Sequence, residues 1–343
     1  MYKVLIVATS HKTRGGITAV INSYKKGKQW HDFNCEWIET HIDRSALEKI
    51  FYFLRSFIIY LFKIWSADIV HIHLPEVYRK YPYMLVAKLL RKKTIVHLHI
   101  TLGENENLGF RYPLYKYCFE NADVVVVLSK ESKRIVEKHF HLDNIKVIYN
   151  CSPKHDCFLS KTKQNAVLYA STLIPAKGYI DLIKAFSIVL KKYPDWKLWL
   201  AGNGEVEKAK TLSKELGIID NCCFPGWISA KEKEKMFSSA SIFAHPSYNE
   251  GFPMAVLEAW SYSLPVVCTK VGGLKDVLEN EKNALTFSPG NIQELSQSLE
   301  RLINDKPLSN KISNNSLLLS ENMFSEERMN KEIYSVYSSL KVK

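Results

Sequence analysis

The stretch Glu250-Gly-Phe-Pro-Met-Ala-Val-Leu-Glu258 places two carboxylates eight positions apart, with Gly251 and Pro253 between them. Because a proline at the first helical position loses no hydrogen bond, we expect a helix to begin at Pro253. Glu250 then lies in the preceding loop, and Glu258 lies about one and a half turns inside the helix. The free N–H groups and the positive dipole at such a helix start favour a phosphate group.

Two interpretations of this stretch are open. In the first, the loop carboxylate, the helix start and the helix carboxylate converge on one polar ligand. A nucleotide sugar is such a ligand, because its phosphates lie between two hydroxyl-rich ends. In the second, the helix is simply capped and both glutamates are solvated. The residues that flank the stretch favour the first interpretation.

Several short motifs follow one another along the chain. They are Gly15-Gly-Ile17, Leu173-Ile-Pro-Ala-Lys-Gly178, Ala201-Gly-Asn-Gly-Glu205, Pro246-Ser-Tyr-Asn-Glu-Gly-Phe-Pro253, Leu257-Glu-Ala259 and Pro265-Val-Val267. In this order and at these separations they resemble the motifs of the retaining GT-B glycosyltransferases of family GT4, and the resemblance covers nearly the whole chain. It implies an α/β GT-B fold, in which two doubly wound Rossmann-like domains face each other across a cleft.

Short apolar runs alternate with longer amphipathic runs, the pattern of βα units around a parallel sheet. Runs rich in Val, Ile and Leu predict strands buried on both faces. These strands are 4–8, 68–73, 94–99, 123–129, 146–149, 166–170, 197–201, 241–245 and 265–269. The polar stretch 150–165 is the predicted linker. We therefore expect an N-terminal acceptor-binding domain, 1–160, and a C-terminal nucleotide-sugar-binding domain, 161–325. The resemblance implies that a C-terminal helix, 326–343, rejoins the first domain.

Length and composition set independent limits. A chain of 343 residues with 46% hydrophobic residues is long enough for two packed domains. Its seven cysteines lack CxxC spacing, which indicates reduced thiols rather than disulfides or a zinc site. The first residues run directly into a strand pattern without an apolar signal segment. We therefore expect a cytoplasmic protein, either free or peripheral on the inner face of the cell membrane.

Lys177 follows a predicted strand and precedes a predicted helix, 178–192. At that position a lysine can reach a diphosphate as a point charge, although a surface lysine is the simpler alternative. The resemblance supports the phosphate role, but this chain also differs from the family pattern at one position. The family pattern has an arginine five positions before the lysine, where this chain has Thr172. A threonine hydroxyl can hydrogen-bond a phosphate but brings no charge.

The histidines His71 and His73, and likewise His97 and His99, occupy alternate positions of predicted strands, so each pair projects to one face. Two imidazoles on one face suggest a metal, but no carboxylate or cysteine completes the set at a regular spacing. The resemblance implies no bound metal and no other cofactor. His99, at the end of its strand, resembles the family's active-site histidine. The alternative is a buried imidazole with an ordinary structural role.

The resemblance also implies roles for the motif residues. Lys177, the Gly16 N–H and the helix start would stabilise the charge that grows on the leaving diphosphate, which then takes the acceptor proton on the same face. Glu258 would bind the ribose and Glu250 the donor sugar. Trp227 either stacks on the base or is buried. The predicted catalytic residues are His99, Lys177 and Glu250. The predicted substrate-binding residues are Gly15, Gly16, Thr172, Gly204, Trp227, Gly251, Phe252, Pro253, Met254 and Glu258.

Charge is unevenly distributed. Residues 1–160 have 24 Lys and Arg against 15 Asp and Glu, which accounts for +9 of the net charge of +12. This bias fits a nucleic acid, an anionic membrane or an anionic acceptor, and the chain has no nucleic-acid motif. The aromatic segment 45–66 carries Arg55 and Lys63, and such charges exclude a spanning helix. It either lies in the interface of an anionic membrane or packs as a core helix.

The sequence thus predicts a retaining hexosyltransferase. It would move a sugar from a UDP- or GDP-sugar to a glycan or lipid-linked acceptor in bacterial surface polysaccharide synthesis. One alternative is a non-catalytic nucleotide- or sugar-binding protein on the same scaffold, against which Lys177, Glu250 and Glu258 count. A second is a glycoside hydrolase that uses Glu250 and Glu258 as its two carboxylates, against which the doubly wound halves argue.

Overall fold

The computed structural model of the protein describes residues 2–13, 15–42, 45–103, 108–154 and 163–341. The chain divides into two compact units. The first comprises Met1–Cys151 together with Glu326–Lys343, and the second comprises Ser152–Ser325. Residues 155–162 of the predicted linker lie outside the described residues.

Each unit contains one six-stranded parallel sheet. The first holds β1 (Val4–Ala8), β2 (Glu36–Glu39), β3 (Ile69–Leu74), β4 (Lys93–Leu98), β5 (Val124–Val127) and β6 (Ile145–Val147), in the order β2-β1-β3-β4-β5-β6. The second holds β7 (Ala166–Ala170), β8 (Lys197–Ala201), β9 (Cys222–Gly226), β10 (Ile242–His245), β11 (Val266–Thr269) and β12 (Leu285–Phe287), in the order β12-β11-β10-β7-β8-β9. Both orders reverse at a switch point, as in doubly wound sheets, so the predicted fold class is confirmed.

Helices connect these strands. Those of the first unit are α1 (Gly16–Tyr24), α2 (Lys28–Asp32), α3 (Ala46–Lys63), α4 (Val77–Leu89), α5 (Tyr112–Glu120) and α6 (Lys130–Phe140). Those of the second are α7 (Tyr179–Leu190), α8 (Val206–Glu215), α9 (Ala230–Ser239), α10 (Met254–Ser261), α11 (Ile292–Asn304) and α12 (Lys306–Asn322). The last helix is α13 (Glu326–Ser339). Within the described ranges, none of the helices is long and apolar enough to cross a bilayer.

Helix α13 packs in the first unit through polar contacts at both ends. The Glu326 carboxylate accepts a hydrogen bond from the Ser23 hydroxyl at 2.8 Å. The Asn330 amide oxygen accepts one from Gln29 at 2.6 Å, and the Tyr337 hydroxyl lies 2.8 Å from His71 Nδ1. These contacts are buried or half-buried, so they fix the helix in one register against α1 and β3.

Two details of the predicted elements are corrected. Helix α10 begins at Met254, because Pro253 is its N-cap and has an extended backbone with φ −73° and ψ 116°. Glu258 is therefore the fifth helical residue. The sequence pattern also missed β2 and β12, which are both edge strands with one neighbour each. Edge strands bury less surface, so they lack the continuous apolar run by which the central strands were recognised.

Candidate functional site

The first candidate site lies at the carboxyl edge of the second sheet. Strand β7 leads into a short 3-10 turn, Pro175–Lys177, and the neighbouring β10 leads into the loop before α10. The two segments are tied together, because the Tyr248 N–H and the Ser247 hydroxyl donate to the Ala176 carbonyl at 2.9 and 3.3 Å. Carboxyl ends of adjacent parallel strands share one edge, so this packing brings together residues that are distant in sequence.

Two glycines permit this close approach. Gly178 has φ 71°, and a Cβ there would stand 1.9 Å from the Pro246 carbonyl oxygen. Gly272 has φ 52°, and a Cβ there would stand 1.8 Å from the Glu250 carbonyl oxygen. Both positions therefore exclude any side chain, since backbone atoms fill the space and the conformation is left-handed. The backbone of the loop with Glu250 therefore packs directly against Gly178 at Pro246 and against Gly272 at Glu250.

Lys177 and Glu250 meet at this edge. Lys177 Nζ lies 2.6 Å from Glu250 Oε1, and His245 Nε2 lies 2.9 Å from the same oxygen. The Glu250 side chain is only 9% exposed, whereas that of Lys177 is 25% exposed. Burial by itself raises a carboxyl pKa, but His245 and Lys177 together lower the pKa of Glu250 to about 2. Glu250 is therefore a fixed carboxylate, and its lysine partner remains accessible to solvent.

His245 is a member of this site that the sequence did not reveal. It is the last residue of β10, is buried, and hydrogen-bonds Glu250 through Nε2. Its Nδ1 atom has no hydrogen-bond partner among the described residues. The only available signal was its position at a strand end five residues before Glu250, and a histidine there resembles ordinary core.

Glu258 has different surroundings. It is 9% exposed on α10, and its Oε1 lies 2.7 Å from Nζ of Lys233 on α9. Burial raises the pKa of Glu258, and Lys233 opposes that effect. The sequence did not indicate this lysine, because α9 alternates lysine and glutamate in the manner of a solvated helix. The two carboxylates of the opening stretch therefore have separate cationic partners.

The other predicted residues of the second unit divide between surface and core. Trp227 is 44% exposed, so the alternative of a buried indole is wrong and stacking on a base stays a prediction. Thr172 and Gly204 are exposed, while Gly251 and Met254 are half-buried. Phe252 and Pro253 are buried, and the Phe252 ring packs 5.3 Å from that of Phe324. Phe252 and Pro253 thus support the loop by packing, and their part in ligand binding stays a prediction.

In the first unit, Gly15 and Gly16 are exposed at the start of α1, after β1. His99 directly follows β4 and is half-buried, whereas His97 lies inside the strand and is buried. His99 Nε2 lies 2.7 Å from His73 Nδ1. Burial lowers the pKa of His99 to about 3, so its imidazole is neutral at physiological pH. The roles of these first-unit residues in substrate binding stay predictions.

Three buried histidines could be considered as a metal centre. The ligand atoms of His71, His73 and His97 lie within 4.8 Å of one another. Their rings, however, are stacked, with interplanar angles of 4° to 30° and centroids 4.5 to 5.5 Å apart. A metal lies in the plane of each imidazole that binds it, and nearly parallel rings do not direct their lone pairs to one point. This arrangement fits a stacked core better than a metal centre.

Helix α3, which contains most of the segment 45–66, has two apolar faces. Ser45 and Glu48 form a capping box at its start. One face packs in the core through Tyr60 and Ile64, with Phe53 and Phe57 partly buried. The opposite face is exposed. It consists of Leu47, Ile50, Phe51, Leu54, Ile58, Leu61 and Phe62, continued by Trp65. The core interpretation is therefore confirmed for the face that includes Phe53 and Phe57, whereas membrane contact by the exposed face stays a prediction.

Family models match both halves of this architecture. Residues 153–317 match the model described as "Glycosyl transferases group 1", and residues 25–152 match "Glycosyltransferase Family 4". The two matches are contiguous and together extend over most of the chain. The chain therefore belongs to the group 1 (family 4) glycosyltransferases, and the predicted family is confirmed.

Individual relatives agree with this assignment. An uncharacterized glycosyltransferase of Haemophilus influenzae is 33% identical over 204 residues, which cover 58% of this chain and 57% of that protein. The capsular polysaccharide biosynthesis glycosyltransferase CapM of Staphylococcus aureus is 28% identical over 212 residues, covering 61% and 53%. The chain thus spans little more than half of these relatives.

A solved structure extends the likeness to the whole chain. Anabaena Alr3699/HepE in complex with UDP and glucose has a TM-score of 0.81 to this protein, covers 99% of this chain and is itself covered completely. At 19% identity this likeness concerns the fold alone. It agrees with the GT-B architecture expected from the sequence.

Proposed function

We propose that the protein is a retaining glycosyltransferase that moves a sugar from a nucleotide sugar to a glycan acceptor in surface polysaccharide synthesis. The observation that carries the proposal is the buried, ionised Glu250 joined to the more accessible Lys177 at the carboxyl edge of β7 and β10. The relatives add to it, because CapM is described for capsular polysaccharide biosynthesis and HepE is described in complex with UDP and glucose. A UDP-sugar is accordingly the first donor to test.

Lys177 is assigned to the diphosphate of the donor. Transfer breaks the bond between the anomeric carbon and a phosphate oxygen, and negative charge grows on the leaving diphosphate. A cation held in place by a carboxylate stabilises that charge without reorganising during the reaction. Glu250 and the Asn249 carbonyl, 2.6 and 3.4 Å from Lys177 Nζ, supply this positioning. The amide groups at the start of α10 add a second source of positive potential.

Glu250 is assigned to the hydroxyl groups of the donor sugar. A carboxylate whose pKa is about 2 is a weak base at physiological pH, so it is poorly suited to remove a proton from an acceptor. It is well suited to accept hydrogen bonds from hydroxyl groups, because it is ionised and held rigidly. The acceptor proton then goes to the leaving phosphate on the same face of the sugar, which gives retention of configuration.

Glu258 is assigned to the ribose of the nucleotide. It is a buried carboxylate at the fifth residue of α10, the helix that follows the loop with Glu250. Lys233 offsets the cost of burying this charge, since a paired carboxylate stays ionised more readily than an isolated one. Two neighbouring hydroxyl groups of a ribose can donate to one ionised carboxylate.

We also propose that the protein works at an anionic membrane surface. The exposed apolar face of α3 is flanked by Arg55, and the first 160 residues carry a net charge of +9. Apolar side chains at the headgroup boundary contribute burial, and each well-placed cation contributes about 1 kcal/mol near anionic lipid. A lipid-linked glycan would present its sugar at the same surface.

A thermal-shift panel of UDP-, GDP-, ADP- and CMP-sugars tests the donor assignment. A ligand that binds only the folded state at a hundredfold excess over its Kd adds about 2.7 kcal/mol of apparent stability. We expect one nucleotide class to raise the Tm of the wild type, and Lys177→Ala to lose most of that rise. Lys184→Ala, at an exposed lysine of α7, is the matched control. The proposal fails if every nucleotide sugar leaves the Tm unchanged.

A further inference from the structure

A cavity of about 310 Å³ lies in the first unit, outside the site described above. It is formed by the edge strand β2, the helix α3 and the loop after β1. Trp37 and Glu39 line it from β2, Tyr52 and Arg55 from α3, and Lys12 from the loop. Lys12 follows the carboxyl end of β1, and Glu39 is the last residue of β2, so the cavity runs along the edge strand and reaches the carboxyl edge at which doubly wound sheets bind ligands.

One carboxylate is fixed inside this cavity. Glu39 accepts hydrogen bonds from the Ser10 hydroxyl and, at 3.2 Å, from the Tyr52 hydroxyl. Its Oε1 lies 2.6 Å from His11 Nδ1. Although partial burial opposes ionisation, Ser10, His11 and Tyr52 hold the pKa of Glu39 below its ordinary value. Glu39 therefore offers a positioned acceptor for hydroxyl groups of a ligand.

An aromatic side chain lies next to this carboxylate. Trp37 and Glu39 are two positions apart on β2, so their side chains project to the same face. The Trp37 indole N–H is buried and has no hydrogen-bond partner among the described residues, and Lys25 Nζ lies over the ring at 4.8 Å from its centroid. An aromatic ring beside a carboxylate suits a sugar, whose C–H groups pack on the ring while its hydroxyls bond the polar atoms.

Two cations at the cavity have no carboxylate partner in the described part of the chain. They are Lys12 and Arg55, and the guanidinium of Arg55 lies 6.0 Å from the Tyr52 ring. The third lining cation, Lys63, is paired with Glu36. A lysine and an arginine that line one cavity can together bind a phosphate or diphosphate group.

Arg55 also marks the border between the cavity and the exposed apolar face of α3. At 100° per residue, Arg55 is about 20° around the helix from Phe62 and about 60° from Ile58. Both Phe62 and Ile58 are exposed. A chain that leaves the cavity past Arg55 therefore meets the apolar face directly.

We propose that this cavity binds the head group of a lipid-linked acceptor. Its diphosphate lies at Lys12 and Arg55, its first sugar lies against Trp37 and Glu39, and its alkyl chain follows the exposed face of α3. The proposal rests on the proposed function and defines the acceptor class for it. The acceptor is a glycosyl diphosphate ester of a long alkyl or prenyl alcohol.

Calorimetry on the full chain with three probes tests the proposal. The probes are glucose 1-diphosphate esterified with a ten-carbon alkyl chain, glucose 1-phosphate, and decyl glucoside, all below the concentration at which they form micelles. We expect the alkyl diphosphate to bind at least tenfold more tightly than either of the others, because it alone has sugar, phosphates and chain. Equal binding of decyl glucoside would overturn the proposal, as would no binding of the alkyl diphosphate.

Charge reversal provides the matched comparison. Arg55→Glu should weaken binding of the alkyl diphosphate about tenfold, because it replaces an attraction to the phosphate by a repulsion. Lys146→Glu makes the same change on β6, the opposite edge strand of that sheet, and should alter affinity by less than twofold. Equal losses of affinity in the two variants would mean that only the overall charge matters, and would refute binding in this cavity.

A second variant tests the sugar contact. Trp37→Ala should weaken binding of the decyl ester of glucose 1-diphosphate. It should leave the binding of decyl diphosphate, which has no sugar, unchanged. Equal weakening of both ligands contradicts the sugar contact. The donor panel is run on every variant. If donors bind but no acceptor probe does, the cavity proposal fails alone, and if no donor binds, the proposed function fails.

Discussion

Replacing Glu250 by glutamine removes one charge from the second unit while nearly preserving the side-chain shape. In the wild type, His245 and Lys177 lower the pKa of Glu250 from 4.5 to about 2. A shift of this size corresponds to roughly 3 kcal/mol of folding free energy, since one pKa unit is about 1.4 kcal/mol. The variant loses this contribution and leaves the buried His245 and the partly exposed Lys177 facing a neutral amide.

The direction of the pH effect follows from the lowered pKa. A carboxyl whose folded pKa lies below its unfolded pKa stabilises the protein fully above the unfolded value, here about 4.5. That stability is lost as the pH falls through the folded value of about 2. Between pH 5 and pH 2, the free energy of unfolding of the wild type should therefore fall by up to about 3 kcal/mol. Glu250→Gln lacks this contribution at every pH, including pH 7.

Urea unfolding followed by tryptophan fluorescence at pH 7, 5, 4 and 3 measures this difference. The gap between wild type and Glu250→Gln should be largest at pH 7 and should close toward acid pH. Glu234→Gln, at an exposed glutamate of α9, is the control and should follow the wild type throughout. A gap that does not depend on pH would refute the ionised pair.

Three further outcomes follow from the same assignments. Calorimetry should show that Glu258→Ala weakens binding of free nucleotide and nucleotide sugar alike, whereas Glu250→Ala weakens binding of the nucleotide sugar more than that of the free nucleotide. The same pattern of losses in both variants would contradict the two assignments. Transfer should survive excess EDTA, because Lys177 and helix amides face the diphosphate, and an activity restored only by manganese or magnesium would reveal a metal site. More of the wild type should float with anionic vesicles at low salt than at high salt, and the double variant Phe51→Ser, Phe62→Ser should float less. Unchanged flotation of this variant would show that α3 does not contact the membrane.

The central strands could be predicted because they are buried on both faces. Strands β1, β7 and β8 were located to the residue, since each is an apolar run bounded by polar residues. Edge strands gave a weaker signal. β2 reads Glu-Trp-Ile-Glu, and only its Ile38 is fully buried, so no continuous apolar run marks it. Periodicity detects burial, so it misses an edge strand as polar as β2, whereas the edge strand β6 was still predicted, at 146–149.

The candidate site was predictable only in part for a similar reason. Lys177 and Glu250 carry motifs, but their partners do not. His245 acts through a contact across a loop, and Lys233 reaches Glu258 from another helix. Such partners are fixed by tertiary packing, which leaves no mark in local sequence. Segment 45–66 shows the same limit. Its composition indicated an apolar helix, but only the packing of that helix in the structure shows which face is buried and which is exposed.

The most direct test of the proposed function is to identify the product that forms from a nucleotide sugar. The wild type is incubated with the donor identified by thermal shift and a panel of glycan and lipid-linked glycan acceptors, and the anomeric configuration of the new glycoside is read by NMR. We predict release of the nucleoside diphosphate, retention at the anomeric carbon, and a loss of about a hundredfold or more in Lys177→Ala. Inversion would contradict the proposed mechanism. Hydrolysis of a plain glycoside without any nucleotide, or full activity of Lys177→Ala, would contradict the proposed function.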